Sequence, residues 1–477
     1  MKRFPRFLSP ALLTAILSWV YGSTLAPGLT WAHNGADGGD LITATVTGGV
    51  PHPTGYPLYL LLAGFFQRLP IGPLAFRTNL LSAVAMTGAA LLVYLLMERF
   101  FSNANRWISS FAGLISAFSF ALAPLVWSQA VITEVYALHA LFVVSILFLC
   151  SGLITEFSEI KLDCITGLVC GLAIGNHLTS IFLLPLVLFW KRDLPSMLRR
   201  ISFIVPGLFP YLILPLRASS QAPVNWGDAS TLNGFLWLVS GGLYQDELFS
   251  LAGLWARTQS SASLLLEQFG VIGLLLAFTG MVVFSSKTRL HWNLLWVVIA
   301  FSSFSIFYGT RDSQVYLIPA LLCLSVWIGI ALGRLMKIWP RGHFLPAGLF
   351  ALWLVFSALQ TWPRVDLSRD AQAEQFGESV LAQTPQGAIL FTKGDEAVFT
   401  LWYFHYALGE RSDVVVIASD LLHFDWYQRT LRATYPALVV PGPLPFGETV
   451  RLANPERTAC YVEYPQESEI ECLEPSR

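Results

Sequence analysis

From Leu8 to Trp362 the chain is a succession of apolar runs separated by short polar breaks. Many of the runs are roughly 20 residues long, enough to cross ~30 Å of hydrocarbon as a helix. Candidate spans lie near 8–26, 74–98, 108–128, 134–155, 162–176, 178–190, 199–216, 264–285, 291–308, 315–337 and 343–362, eleven in all. The two between 162 and 190 are short and joined only by Asn176-His177, so nine or ten is the alternative count. Charged residues are 12% of the 477 and hydrophobic ones 55%, where an average soluble domain carries roughly 25% charged residues. A soluble enzyme, a disordered chain and a nucleic-acid binder are thereby excluded. The net charge of −1 gives no global field to collect a polyanion, and the six Cys at their spacings form neither a disulfide scaffold nor a zinc site.

The first run follows Met1-Lys2-Arg3-Phe4-Pro5-Arg6 and reads as a secretory signal or a first membrane helix. Pro27 directly after Thr24-Leu25-Ala26 argues against cleavage, so a retained helix with a cytoplasmic N-terminus is expected. Cytoplasmic loops collect Lys and Arg. In this threading they hold Lys2, Arg3, Arg6, Arg99, Arg106, Lys161, Lys191, Arg192, Arg199, Arg200, Lys287, Arg289, Arg334, Lys337 and Arg341, fifteen in all. Five lie on the other side: Arg68, Arg77, Arg217, Arg257 and Arg311. A register error of one span would invert every later loop and destroy this bias. The extracytoplasmic side then receives the loops 28–73 and 217–263, the turns 129–133 and 309–314, and everything after Trp362.

After residue 365 the composition becomes that of a soluble domain. A strand at Ala388-Ile389-Leu390-Phe391 precedes a helix-like stretch from Glu396 to Leu408, and a strand at Val414-Val415-Val416-Ile417 precedes another from Leu421 to about Arg432. Such alternation predicts a small α/β layer with a parallel sheet. The expected architecture is a polytopic α-helical membrane domain over 1–365 and an extracytoplasmic α/β domain over 366–477. Cys460 and Cys472 fall in the second domain, where oxidising conditions permit a disulfide, while Cys150, Cys164, Cys170 and Cys323 read as packing residues.

The chemistry-bearing residues gather on the extracytoplasmic side. The first long loop contains Asp37-Gly38-Gly39-Asp40 and then Pro51-His52-Pro53-Thr54-Gly55-Tyr56-Pro57-Leu58-Tyr59. A helix starting after Asp37 would place both carboxylates on its first turn, pointing the same way. An isolated pair of this kind is more often a helix cap. Here it keeps company with Glu134, Tyr136 and His139 at the start of one span, Asn176-His177 in a hairpin, Asn225-Trp226-Gly227-Asp228 in the second long loop, and Tyr308, Arg311 and Asp312 in a turn. Ionisable residues at membrane depth are costly and usually functional, although each histidine alone is more often a satisfied packing residue. Carboxylates and a guanidinium facing a lipid-exposed cavity suit group transfer from a lipid-phosphate donor: one takes a proton, the other grips a phosphate. No P-loop, His-Glu-x-x-His or CxxC element supports nucleotide hydrolysis or zinc peptidase chemistry.

These residues resemble the multi-spanning GT-C glycosyltransferases, in the branch related to the transmembrane protein O-mannosyltransferases. That branch carries an Asp-Ser-Gly-Glu-like element and a Pro-His-Pro-Pro-Gly-x-Pro-Leu-Tyr element in its first outer loop. They correspond to Asp37-Gly38-Gly39-Asp40 and Pro51 to Tyr59, with Gly38 in place of Ser and Asp40 where Glu is frequent. Further matches are Trp127-Ser128-Gln129-Ala130 with Glu134 to His139, Gly175-Asn176-His177, Asn225 to Asp228, and Gly394-Asp395-Glu396 with Leu401-Trp402-Tyr403.

The resemblance implies a GT-C-like fold of about eleven membrane helices and a transfer of a mannose-like sugar from a polyprenyl-phosphate carrier to a protein or glycan hydroxyl. Asp37 would be the first choice for the catalytic base and Asp40 the second. His52, Tyr56, Glu134, Tyr136, His139, Asn176, His177, Trp226 and Asp228 would line the substrate cavity. Arg311 would bind the donor phosphate, with Arg217 and Arg77 as weaker candidates. The lipid-linked sugar is the donor substrate rather than a cofactor, and two carboxylates are too small a ligand set to assert a divalent cation. A lipid or sugar-lipid transporter is the alternative. Transporters commonly show internal repeats and helices broken near the midplane; neither is evident, and the carboxylates gather at one face. With no Asn-x-Ser/Thr sequon and no Lys-Asp-Glu-Leu-type ending, a bacterial plasma membrane is favoured.

Overall fold

The computed structural model describes residues 7–189, 193–284, 288–339, 344–442, 446–464 and 470–475. Lys2, Arg3, Arg6, Lys191, Arg192, Lys287 and Arg341 of the charge bias lie outside the described residues, as do the span ends at 190, 285 and 343.

The helices are α1 (Leu8–Thr24), α2 (Asp37–Thr47), α3 (Pro57–Phe66), α4 (Leu74–Phe100), α5 (Arg106–Ala121), α6 (Pro124–Ser128), α7 (Tyr136–Leu149), α8 (Glu159–Asn176), α9 (Leu184–Phe189), α10 (Leu194–Gly207), α11 (Ile213–Ala218), α12 (Leu232–Val239), α13 (Leu254–Val283), α14 (Arg289–Phe307), α15 (Ile318–Ile338) and α16 (Phe344–Val365). Each of the eleven apolar runs falls on helix. Among the described residues, six stretches are long and apolar enough to cross a membrane: Leu74–Phe100, Leu194–Ala218, Leu254–Val283, Arg289–Phe307, Ser313–Ile338 and Leu345–Val365. The chain is a multi-pass membrane protein. Large apolar side chains such as Trp19, Leu216, Phe278 and Leu352 are exposed on the helix surfaces, as contact with lipid requires.

α15 runs through the centre, buried on nearly all sides. Without a hydrophobic driving force between helices in lipid, close approach at small residues does the packing. A Cβ on Gly167 would lie 2.3 Å from the Arg200 carbonyl oxygen, and one on Gly171 2.3 Å from that of Ile204, so α8 and α10 meet backbone to backbone. Beside this contact the buried Asp163 carboxylate accepts from Arg199 Nη2 (2.7 Å) and Arg200 Nε (2.9 Å).

Beyond the membrane helices come α17 (Gln372–Gln383), β1 (Ile389–Lys393), α18 (Asp395–Trp402), β2 (Val415–Ala418), α19 (Asp425–Thr434), α20 (Gly447–Ala453), β3 (Ala459–Glu463) and β4 (Glu471–Leu473). The sheet order is β2-β1-β3-β4. β1 is parallel to both β2 and β3, and β4 is antiparallel to β3. The parallel layer is as expected; the last two strands are additions that the sequence pattern did not disclose. Cys460 and Cys472 are direct partners across β3 and β4 and form a disulfide. This domain sits on the first long loop: Trp31 Nε1 donates to the Glu396 carbonyl (3.1 Å) and to Thr400 Oγ1 (2.9 Å), and Thr30 Oγ1 donates to Asp370.

Candidate active site

Asp37 and Asp40 open α2, and its N-cap is Ala36, which makes no side-chain capping bond. Neither acid is the N-cap, and both sit on the first turn, where the helix dipole favours a carboxylate. His52 lies between them. Asp40 Oδ2 accepts from the His52 backbone N–H (2.8 Å) and from Nδ1 (2.7 Å), and Oδ1 accepts from Trp226 Nε1 (3.1 Å). Asp40 is fully buried. With both oxygens occupied it presents none to a substrate, which corrects the expectation that it could serve as a second proton acceptor. His52 Nε2 lies 3.4 Å from Asp37 Oδ2, and the Asp37 side chain keeps 35% of its surface accessible.

Local pairing fixes this triad. Val50 N–H donates to the Val224 carbonyl (2.9 Å) and Trp226 N–H to that of Val50 (3.1 Å), so the second long loop is laced to the first. A Cβ on Gly49 would come within 2.1 Å of the Val224 oxygen. Arg217 Nη1 donates to the carbonyls of Ala44 (3.1 Å) and Gly49 (3.2 Å), satisfying the end of α2.

The electrostatics follow from the packing. Burial pushes the Asp37 carboxyl up to about 7; the charge on His52 opposes that rise, and Asp395, Asp312 and Asp40 add to it. Burial also disfavours a charged His52, but Asp37 and the hydrogen-bonded Asp40 outweigh it and raise the imidazole to about 9.

From His52 a series of rings leads into the membrane helices. The Tyr56 ring is 5.2 Å from His52 and 6.0 Å from His177. His177 in turn is 5.7 Å from Tyr136, 5.1 Å from His139 and 5.7 Å from Tyr316. Both deeper histidines have hydroxyl partners: His177 Nδ1 is 2.7 Å from Thr179 Oγ1, and His139 Nδ1 is 3.2 Å from Ser180 Oγ. Asn176 Nδ2 donates to the Val135 carbonyl at 3.3 Å. Buried Glu134 is within electrostatic reach of Asp37 and His52.

Ten of the expected residues thus come together: Asp37, Asp40, His52, Tyr56, Glu134, Tyr136, His139, Asn176, His177 and Trp226. Asp228 does not join them. Its carboxylate pairs with Arg429 at 2.9 Å, tying the second long loop to α19, so its role is corrected from cavity lining to domain contact. Arg311 is exposed, and among the described residues its guanidinium has no hydrogen-bond or ion-pair partner. Arg217 is engaged as described, and Arg77 donates to the carbonyls of Gln67 (2.8 Å) and Ile71 (2.9 Å). Among the described residues no group of three or more His, Cys, Asp or Glu is placed to hold a metal ion.

Four further residues stand beside these, and the sequence reading gave none of them a role. Asp312 and Asp395 lie within electrostatic reach of Asp37, and Tyr244 within reach of both Asp37 and Asp395. Tyr316 stands against Tyr136 and His177. Asp312 adjoins Arg311 and Asp395 belongs to the Gly394-Asp395-Glu396 element, so each had a signal; Tyr244 and Tyr316 had none beyond being aromatic.

Residues 37–193 match the family described as the Protein O-mannosyl-transferase TMEM260 N-terminal domain, and residues 373–450 match TMEM260-associated domain 2. The chain is 27% identical over 457 residues to the protein O-mannosyl-transferase TMEM260 of Mus musculus, covering 86% of this chain and 62% of that protein. It is 23% identical over 498 residues to the Dictyostelium discoideum protein of the same name, covering 89% and 58%. The chain therefore spans about three-fifths of the length of these relatives. In fold it is similar to ArnT from Cupriavidus metallidurans bound to undecaprenyl phosphate, with a TM-score of 0.64 and 12% identity over 97% of this chain and 94% of that one. The Archaeoglobus fulgidus oligosaccharyltransferase in its apo form gives a TM-score of 0.55 and 12% identity over 91% and 69%. The chain has the fold of the GT-C membrane glycosyltransferases and is related in sequence to their protein O-mannosyltransferase branch.

Proposed function

We propose that this chain is a membrane glycosyltransferase that moves a mannose-like sugar from a polyprenyl-phosphate carrier to a hydroxyl of a protein or glycan. In this reading about eleven helices cross the membrane and the site and C-terminal domain face the extracytoplasmic side. The observation that carries the proposal is the Asp37–His52–Asp40 arrangement at the edge of the membrane helices, with one carboxylate partly accessible and the other locked beneath the imidazole. The named activity of both curated relatives makes a protein hydroxyl the first acceptor to test.

Asp37 takes the proton of the acceptor hydroxyl as that oxygen attacks the anomeric carbon. The bond from that carbon to the phosphate oxygen breaks, and the carrier leaves as polyprenyl phosphate. His52 stabilises the Asp37 carboxylate through its own charge, and Asp40 orients the ring by accepting from Nδ1. The unpartnered guanidinium of Arg311 is suited to grip the departing phosphate.

The test is transfer of radiolabelled sugar from polyprenyl-phosphate donors by the purified chain in detergent. Asp37→Asn is expected to stay folded and to lose about 10²-fold or more in turnover. Near-normal turnover in that variant rejects the assignment of the base. Failure of the folded wild-type chain with every donor rejects the transferase reading.

A further inference from the structure

Asp395 and Phe399 are four residues apart on α18 and so share one face. Phe399 stacks on His52, with 6.3 Å between ring centroids and 17° between planes, and this face therefore carries Asp395 toward the catalytic pair. The start of α18 is fixed from three directions. Trp31 holds the Glu396 carbonyl and Thr400; the Gly39 backbone abuts the Phe399 carbonyl, which an added Cβ would approach to 2.4 Å; and Gly394 N–H donates to Asp420 Oδ2 at 3.1 Å. The Asp395 side chain itself is exposed, and among the described residues it has no hydrogen-bond or ion-pair partner. A carboxylate carried on a fixed helix start beside a reacting group, with its own acceptor sites free, is placed to bind a ligand.

Two sets of groups surround Asp37. Glu134, Asp312, Tyr136 and Tyr316 interact with one another where the membrane helices end. The charged neighbours of Asp395 are His52 and Asp40 of the first long loop and Glu396 and Asp420 of the C-terminal domain. A lipid-linked donor arrives along the membrane helices, which leaves the second side for the acceptor. That side is acidic, and Lys393, just ahead of α18, faces Glu463 at 3.7 Å. An anionic acceptor would meet repulsion there, whereas the N–H and hydroxyl groups of an extended polypeptide are suitable partners.

We propose that Asp395 is a substrate-binding residue supplied by the C-terminal domain, whose carboxylate accepts hydrogen bonds from the acceptor polypeptide and holds it across Asp37 from the donor. This rests on the transfer proposed above. With a Ser/Thr-rich peptide and polyprenyl-phosphate mannose as probes, Asp395→Asn should raise the KM for peptide about tenfold or more, the scale of one charge-assisted hydrogen bond. The KM for donor should not change. A rise shared by both KM values, or a loss confined to kcat, overturns the assignment. A second measurement needs no turnover. In the full chain carrying Asp395→Cys, the peptide should slow labelling by a charged maleimide, and polyprenyl phosphate should not. The reverse pattern, or protection by a neutral oligosaccharide but not by peptide, overturns it too. Protection by peptide in a chain whose wild type transfers no sugar would uphold this binding site and sink the transferase reading alone.

Discussion

Asp37 and Asp40 are the same residue type on the same helical turn, and what lies opposite each separates their roles. Asp40 meets His52 and Trp226 and is closed off; Asp37 meets the far side of His52 and stays partly accessible. The proposed chemistry needs Asp37 ionised, which holds above about 7, and His52 charged, which holds below about 9. Transfer should follow a bell-shaped pH profile between those limits. His52→Gln removes the cation that opposes the rise of Asp37, so the acid limb of kcat/KM should move to higher pH; an unmoved or lowered limb over roughly pH 5 to 10 would reject the pairing. The same shift bears on stability: His52, raised in the folded chain, contributes stability that is whole below 6.5 and is lost as pH rises through about 9. Asp37, Asp40 and His52 were legible in the sequence because one stretch of the first long loop carries all three. Asp228 was misplaced because its partner, Arg429, belongs to a domain whose docking no local pattern encodes.

Among the elements, the contact between α2 and α18 is the one on which the site depends most. Gly39 permits it, since any side chain there would drive into the Phe399 backbone. Gly39→Ala should cost about 1–3 kcal/mol, the usual scale for overpacking, and should lower transfer by moving Phe399 away from His52. Thermal unfolding of the detergent-solubilised protein beside a transfer assay checks both; a variant that matches wild type in each would show that the close approach is dispensable. The helices were legible from apolar run length, and α2 from its acidic first turn. β3 and β4 were not, because a five-residue and a three-residue strand among prolines and polar residues carry little periodicity of their own, and only pairing with β1 and with each other defines them.

At the scale of the whole molecule, two regions far apart in sequence meet at one site. Trp31 reaches Glu396 and Thr400, Thr30 reaches Asp370, and Asp228 reaches Arg429. A chain ending at residue 365 should therefore still insert into the membrane, because its apolar helices are intact, yet show no sugar transfer. Transfer near the wild-type rate by such a truncation would mean that the membrane helices hold a working site alone.

The docking of α18 on α2 also sets a schedule for the protein's making. α2 emerges from the ribosome before α4 to α16, whereas α18 follows them and β1 waits for β3 at Ala459–Glu463 before its sheet is complete. While α4 to α16 are being inserted the acidic turn has no partner from the C-terminal domain, and the site gains its second wall only after them. A stop between α16 and α18 would thus leave an inserted chain without the wall that the proposed transfer needs.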